Sequence, residues 1–593
     1  MKKIVLLLFS LPLIFTASYA QVEASVPPGF YTSDLQVLLH NALGIGKIHY
    51  TLDGRQPDTS SVVFEGPIAI YQGQRSASLS YVPTGEEWVR PEGLVYTGTT
   101  LRAVVIDDNG NRSEEATFTY FIHPFQEGKY PIDRVALTVD SIDFFGNETG
   151  IYVEGTNDVF NFYQGGDEWE RPLYFELFNS SGDLEFSQSL GARIHGRSSR
   201  TASQKSLRLY AKSDYGSPFI FHPIFGEEHD VQAFKRVILR APDRLFTKAL
   251  FIDNIINASI SNLEVDNMES RPVAVFINGE YWGVQSLRER HDEQYVRIKH
   301  GIDPDDVDVV GWDRGPEVSA GDNEAFDALM EFLQSTDFAG PNALLELEKR
   351  IDLPSFIKVV GTNIFFANED FPNNNLRMWR KRSYGQKWNF FYYDCDACMR
   401  DYEINSFEYY RSERNDGNPV SLILDRMLDE PAFQAKLSAF LFQMMSSNFS
   451  KNELLALATE YRNLYAPLVS EHIKRWNHPN DVNDWNAAQE DLNSFIIHRE
   501  AFLSKHIQET LIKPFGVYPN PVSQQMNLEF LESYENSLFE VVIHDMMGKR
   551  YEVNVSELSP KLYNIDFSQL NQGLYILQVS IGGAYYFERV TKL

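Results

Sequence analysis

The sequence predicts a multidomain chain in which an α+β central region lies between two all-β modules. Three observations carry this. Short alternating runs punctuated by Gly, Pro, Asn and Asp fill residues 26–123 and again 515–593, the pattern of small β-sandwiches. Within residues 128–512 strand-like runs come first, and apolar residues at three- and four-residue spacing follow, the order of an α+β plan. The 593 residues, 13% of them aromatic, supply apolar material for roughly four domains and argue against a disordered or fibrous chain. A net charge of −29 speaks against non-specific nucleic-acid or anionic-lipid binding, because phosphates are repelled over most of the surface. Two cysteines exclude a disulfide scaffold and a Cys-rich zinc site.

In chain order, residues 1–20 read as a signal peptide. Lys2 and Lys3 precede an apolar run from Ile4 to Phe15, and Ser18-Tyr19-Ala20 provides small residues for cleavage. That run is shorter than the roughly 20 residues a bilayer span needs, and no later segment reaches such a length, so no transmembrane segment is expected. The first β module shows strands at Lys47–Leu52, Leu101–Ile106 and Ala116–Ile122. In the central region, Val273–Ile277, the Asn278-Gly279 turn and Glu280–Leu287 read as a hairpin, since Asn-Gly supplies positive φ. Leu422–Met445, Lys451–Leu468 and Ala487–Ile507 carry helical periodicity. The last module alternates at Phe539–Ile543 and Leu574–Val579, between turns at Pro519-Asn520-Pro521, Gly548, Asn571-Gln572-Gly573 and Gly582-Gly583.

Two local anomalies locate the chemistry. From Phe186 to Ser213 there is no Asp or Glu but six basic residues: Arg193, Arg197, Arg200, Lys205, Arg208 and Lys212. Such an inversion calls either for an anionic partner or for acidic neighbours brought in by the fold. Lys205 shares a strand face with Leu207 and Leu209; if that face is buried, its ammonium needs a partner in the interior. A lysine so held is what a nucleotide cleft uses to grip phosphate. Downstream, Asp370 and Asn375 stand five apart, the spacing of a kinase catalytic loop, in which Asp accepts the hydroxyl proton and Asn holds magnesium. The apolar run Asn389–Tyr393 then leads into Asp394-Cys395-Asp396, whose two carboxylates share a face and approach one hard cation. On spacing alone, a calcium-binding or simply solvated acidic turn fits equally well.

Resemblances rank these alternatives. Gly191-Ala192-Arg193-Ile194-His195-Gly196-Arg197-Ser198-Ser199-Arg200, the run Gln204–Tyr210, Phe276–Val284 with Glu289 after it, the Asp370–Asn375 loop, Asp394–Asp396 and Phe495–Leu503 together resemble the spore-coat protein H (CotH) family of atypical kinases. The resemblance implies transfer of the ATP γ-phosphoryl group to Ser or Thr hydroxyls of an unidentified protein substrate. It implies Asp370 as catalytic base and Lys205 on the α/β-phosphates, with Arg200 and Glu289 at the nucleotide and Glu289 as the carboxylate pairing Lys205. Asn375 and Asp394 would hold Mg2+, with Asp396 as a second carboxylate ligand. Ser203 and Tyr393 stand where relatives commonly carry Pro and Trp. Cys395 and Cys398 would face opposite sides of a regular strand, so a disulfide between them requires a turn. Ile48–Pro57 with Thr100–Val104 resembles the immunoglobulin-like domain at the C-terminus of chitobiases, which implies a spacer. Val517–Val522, Val541–Lys549, Leu570–Tyr575 and the terminal Lys592-Leu593 are similar to type IX secretion sorting domains, implying contact with that machinery and a secreted or cell-surface protein.

The expected organisation is therefore a signal peptide at 1–20, a chitobiase C-terminal-like sandwich at 26–123, a CotH kinase-like α+β domain at 128–512 and an immunoglobulin-like sandwich sorting domain at 515–593. The alternative of another class is a surface-displayed binding or adhesion protein on an inactive kinase-like scaffold. The acidic run Asp303, Asp305, Asp306, Asp308 and Asp313 lacks the glycine and terminal glutamate of an EF-hand and reads as a solvated loop.

Overall fold

The structure, a computed structural model, describes residues 22–74, 78–93, 95–123, 130–226, 232–242, 248–335, 342–412, 415, 417–428, 430–510, 515–530, 539–545, 549–581 and 584–593. The expected signal peptide and the turns at Gly548 and Gly582-Gly583 lie outside the described residues. The chain is multidomain, with a mixed α/β centre between β-sheet regions.

The N-terminal region is a five-stranded sheet in the order Gly29–Tyr31, Ala116–Ile122, Thr99–Ile106, Lys47–Thr51 and Val62–Val63, with two small two-stranded sheets beside it. Its alternating residues Ile48, Leu101, Ala103, Val105, Tyr120 and Ile122 fill one core, so the strands read from sequence form where expected.

The centre opens on a closed seven-stranded barrel. Its strands are β1 (Asp133–Val139), β2 (Arg171–Phe178), β3 (Leu184–His195), β4 (Ser206–Tyr210), β5 (Arg236–Arg240), β6 (Ser270–Ile277) and β7 (Glu280–Arg288). The spatial order is β1-β2-β3-β4-β5-β7-β6, and β6 closes on β1 in parallel. Alternation sets the lining: Ile194, Leu207, Leu209, Val237, Leu239 and Trp282 enter the barrel's apolar core, whereas Arg208 and Arg240 occupy the opposite face of their strands. The β6–β7 hairpin turns at Asn278 (φ 46°) and Gly279 (φ 80°), the paired positive φ that Asn-Gly favours.

A second sheet follows, with β8 (Val307–Trp312), β9 (Pro316–Ala320), β10 (Leu376–Lys381) and β11 (Asn389–Tyr392), joined to the short strand Asp266–Asn267 in the order Asp266–Asn267, β11, β10, β8, β9. The longer helices of the centre include α1 (Ile252–Ile260), α2 (Leu353–Phe366), α3 (Pro431–Met445), α4 (Lys451–Trp476) and α5 (Val482–Thr510). The helix expected over Leu422–Met445 is two, Pro419–Met427 and α3, because Pro431, lacking an amide hydrogen, starts a new helix at its first turn. Helix α4 continues past its internal Pro467 to Trp476, beyond the end expected at Leu468. It lies against β7 at Gly283 (φ 101°), where a Cβ would come within 2.7 Å of Trp476 Nε1. Only glycine satisfies both the dihedral and the approach. The C-terminal region is a pair of four-stranded antiparallel sheets, and Tyr586 packs edge-on to Phe442 of α3 at 5.0 Å.

The N-terminal region does not behave as a detached spacer. The buried Glu280 carboxylate accepts the backbone N–H groups of Ser78 (2.7 Å), Leu79 (3.0 Å) and Ser80 (2.9 Å), and Leu79 enters the barrel core. Phe121 stacks on Phe30 at 4.2 Å and meets Phe276 of β6 at 4.5 Å. At the same seam Glu176 of β2 is fully enclosed and accepts from the Thr119 hydroxyl and amide, and burial raises its pKa to about 8. The folded protein therefore binds this proton more tightly than the unfolded chain. Its contribution to stability is complete below the ordinary carboxylate pKa and disappears as pH climbs toward 8. Glu176→Gln is expected to flatten the decline in denaturant midpoint between about pH 4.5 and 8, and an unaltered slope in the variant rules that out.

Candidate active site

The site is built where α2 ends. Asp352 caps α2 by accepting the Ser355 amide at 2.9 Å, and the helix stops at Ala367 in the left-handed region (φ 51°). The chain turns into Asn368–Asn375 and then enters β10. Asn368 is buried and organises this loop: its Nδ2 donates to Asn363 Oδ1 at 2.8 Å, and its Oδ1 accepts the Asp370 amide at 3.0 Å. The Asp370 carbonyl accepts the Asn374 amide at 2.8 Å. Asn375 then takes φ 57°, a conformation Asn tolerates better than most residues. β10 and β11 form an antiparallel pair, which returns the chain to the same place at Asp394.

There the two loops are stitched together. Asn375 Nδ2 donates to the Asp394 carbonyl at 3.1 Å, and Asn368 Nδ2 reaches the same oxygen at 3.4 Å. Strand β11 ends at Tyr392, so Asp394 (φ 57°) and Asp396 stand on a turn and not on the strand expected from sequence. Their carboxylates nevertheless converge on one guanidinium. Arg240 Nη2 lies 2.7 Å from Asp394 Oδ1 and 2.7 Å from Asp396 Oδ2, while Nη1 reaches Asp394 Oδ2 at 3.3 Å. Two carboxylates around a single cationic group is an arrangement that also suits a small divalent cation. Donation through Nδ2 leaves the Asn375 amide oxygen uncommitted to this contact. Among the described residues no group of three or more His, Cys, Asp or Glu side chains gathers as a metal site.

The turn is also locked covalently. Cys395 and Cys398 form a disulfide with Cα atoms 5.2 Å apart, and the Cys395 amide donates to buried Asp253 at 3.2 Å, itself ion-paired with Arg288. Replacing both cysteines by serine should lower unfolding free energy by about 2 kcal/mol, the loop-entropy value for so short a ring. Equal denaturation curves for the oxidised wild type and the double variant would refute this.

Lys205 is placed elsewhere. It points with Leu207 and Leu209 to the barrel interior, where its ammonium donates to the Arg200 carbonyl at 2.6 Å and the Ala202 carbonyl at 2.8 Å. It sits 4.2 Å from the centre of the Phe162 ring. Burial brings its pKa down to about 7, against a smaller opposing pull from Glu154. The interior face inferred from alternation is correct, but the partners are backbone carbonyls and not Glu289. Glu289 is buried at the end of β7, accepts the Glu269 amide at 3.1 Å, and is pushed up to about 7 chiefly by burial. Arg200 likewise serves its own turn, donating to the Gly196 carbonyl at 2.7 Å and the Tyr163 carbonyl at 3.1 Å.

The basic run is resolved residue by residue. Arg193 and Lys212 both pair with Glu170 at 2.8 Å, and Arg197 pairs with Asp313 and Glu317. Asp313 is thereby accounted for, and Asp308 faces Arg380 and Arg382. Arg208 instead donates to the Tyr210 hydroxyl at 3.1 Å and lies 3.0 Å from His195 Nδ1. The His195 imidazole is held well below its usual pKa, first by burial and then by Arg208, Arg240, Arg290 and Arg377. Arg290 is itself paired with Asp292, and Arg377 donates to the His291 carbonyl at 2.8 Å. Arg240 is the participant the sequence reading missed; its only signal was the alternation Arg236-Val237-Ile238-Leu239-Arg240.

Comparison with known proteins gives three family matches. The family described as CotH kinase protein matches residues 192–503, just over half of the chain. The family described as secretion system C-terminal sorting domain matches residues 516–592. The N-terminal module, likened above to the chitobiase domain, matches the family described as Fn3 associated at residues 37–120. No curated protein matches the chain. Among solved structures, the twitchin kinase region from C. elegans aligns over 95% of this chain and 99% of its own at 9% identity, with a TM-score of 0.20, too loose a superposition to bear on the fold. No helix among the described residues is long and apolar enough to cross a membrane. The chain belongs to the CotH kinase family, carrying an Fn3-associated domain before its kinase domain and a type IX secretion sorting domain, which marks it for secretion or the cell surface, after it.

Proposed function

We propose that the protein is an exported Ser/Thr protein kinase that transfers the γ-phosphoryl group of ATP to hydroxyls of another protein. The observation that carries this reading is the junction at the Asp394 carbonyl, where Asn368 and Asn375 draw the Asp370 loop against the Asp394–Asp396 turn. Asp370, its backbone fixed by Asn368 and Asn374, is the base. It accepts the Ser or Thr proton as the hydroxyl oxygen bonds to the γ-phosphorus and the bond to the β–γ bridging oxygen breaks, releasing ADP. Asn375, Asp394 and Asp396 hold Mg2+, which when bound offsets the phosphate charge. The kinase region spans 128–512, between modules at 26–123 and 515–593.

Two features favour the other class, a surface binding protein on a kinase-like scaffold: Arg240 already neutralises both carboxylates, and Lys205 is sequestered inside the barrel. Incubating the mature protein with γ-labelled ATP, Mg2+ and an extracellular protein fraction separates the readings. Label on protein is expected; none, with no nucleotide-dependent rise in melting temperature, supports the scaffold. Deleting residues 515–593 should leave the protein in the periplasm, and normal surface delivery without them would disprove the sorting role.

A further inference from the structure

We infer that Arg240 is the phosphate-gripping residue of this kinase, held in reserve by Asp394 and Asp396 until a divalent cation takes those carboxylates, and that Lys205 serves the barrel turn instead. The inference rests on the kinase reading above and reassigns the cation within it.

The first support is direction. β4 and β5 are paired so that Leu207 lies opposite Leu239 and Arg208 opposite Ile238. Lys205, two residues before Leu207, falls on the face that lines the barrel core, whereas Arg208 and Arg240 fall on the other. Among these side chains it is Arg240 that touches the turn bearing Asp394 and Asp396. The second is commitment. The Lys205 ammonium has two carbonyl acceptors and an aromatic face, and withdrawing it would leave those carbonyls without their donor. Arg240 is held by carboxylates that a competing cation can take over.

Chemistry is the third. Guanidinium presents a planar fork that engages phosphate through two parallel hydrogen bonds, and it remains charged when partly buried. Arg208, on the same strand face as Arg240, lies 3.0 Å from His195 Nδ1, so a triphosphate arriving there meets a second guanidinium in a protein that is otherwise strongly acidic. A cavity of about 30 Å3, room for about one water, is lined by Arg240, Asp253, Asn254 and Asp396 among others. Metal and nucleotide are thereby coupled: displacement of Arg240 by the cation frees the group that binds phosphate.

The test is a split between two affinities. In Arg240→Gln, ATP affinity in the presence of Mg2+ should fall at least about tenfold, the loss expected for one charge-assisted bidentate contact. Mn2+ affinity without nucleotide, read by electron paramagnetic resonance, should rise because the competing cation is gone. Arg240→Lys should recover part of the ATP affinity, and Lys205→Met should cost less of it than Arg240→Gln. Unliganded melting curves verify folding. Unchanged ATP affinity in Arg240→Gln overturns the inference, as does a parallel loss of ATP and Mn2+ affinity, which a merely structural arginine would give. A larger ATP loss in Lys205→Met than in Arg240→Gln also overturns it. If the wild type binds no ATP, the kinase reading fails and takes this inference with it.

Discussion

Asp370→Ala is expected to lower phosphate incorporation by on the order of 10²–10⁴-fold, the usual contribution of a positioned general base. The melting rise produced by Mg2+ and ATP should remain. The separation follows from how the loop is made. Asp370 enters the hydrogen-bond frame through its amide and carbonyl, and those groups survive truncation of the side chain. Asn368 still reaches Asp394, and Asn375 stays in register. A time course of label transfer with both proteins at saturating ATP checks it: equal rates would remove Asp370 from the reaction, and loss of the thermal shift would recast it as a binding residue.

Asp394→Asn should act at the other step. The amide keeps the side chain's size but removes one of two anionic oxygen sources, so the rise in melting temperature with Mg2+ and ATP should vanish. Saturation at a hundredfold excess over the dissociation constant corresponds to about 2.7 kcal/mol of stabilisation, which scanning calorimetry resolves easily. The unliganded protein should melt near the wild type, since Arg240 retains Asp396 and the stitching oxygen of residue 394 is a main-chain atom. A full thermal response in the variant would sink the metal assignment.

The sequence exposed this site unevenly, for physical reasons. That the Asp370–Asn375 loop and the Asp394–Asp396 turn meet is legible because they flank one hairpin, where spacing along the chain translates into spacing in space. The face of Lys205 was legible too, through alternation with Leu207 and Leu209. Its destination was not, since which wall of a barrel meets the carboxylates depends on how seven strands close. Arg240 was invisible for the same reason: it contacts Asp394 across 154 positions, and an alternating strand states only that its arginines leave the core. The hairpin at Asn278-Gly279 was read from two residues, whereas the break before Pro431 was overlooked because periodicity ran through it. The cysteine pair needed a turn that spacing could require but not demonstrate.

The union of Glu280 with the amides of Ser78, Leu79 and Ser80 has an evolutionary and practical corollary. The kinase-family region is not a cassette that can be excised from the N-terminal module and moved between proteins. Cutting there would uncap a buried carboxylate and open an oily seam lined by Phe30, Phe121 and Phe276 to water. Recombinant work should start upstream of the first N-terminal strand, and shuffling of this protein among lineages is expected to carry its leading module along as obligate cargo.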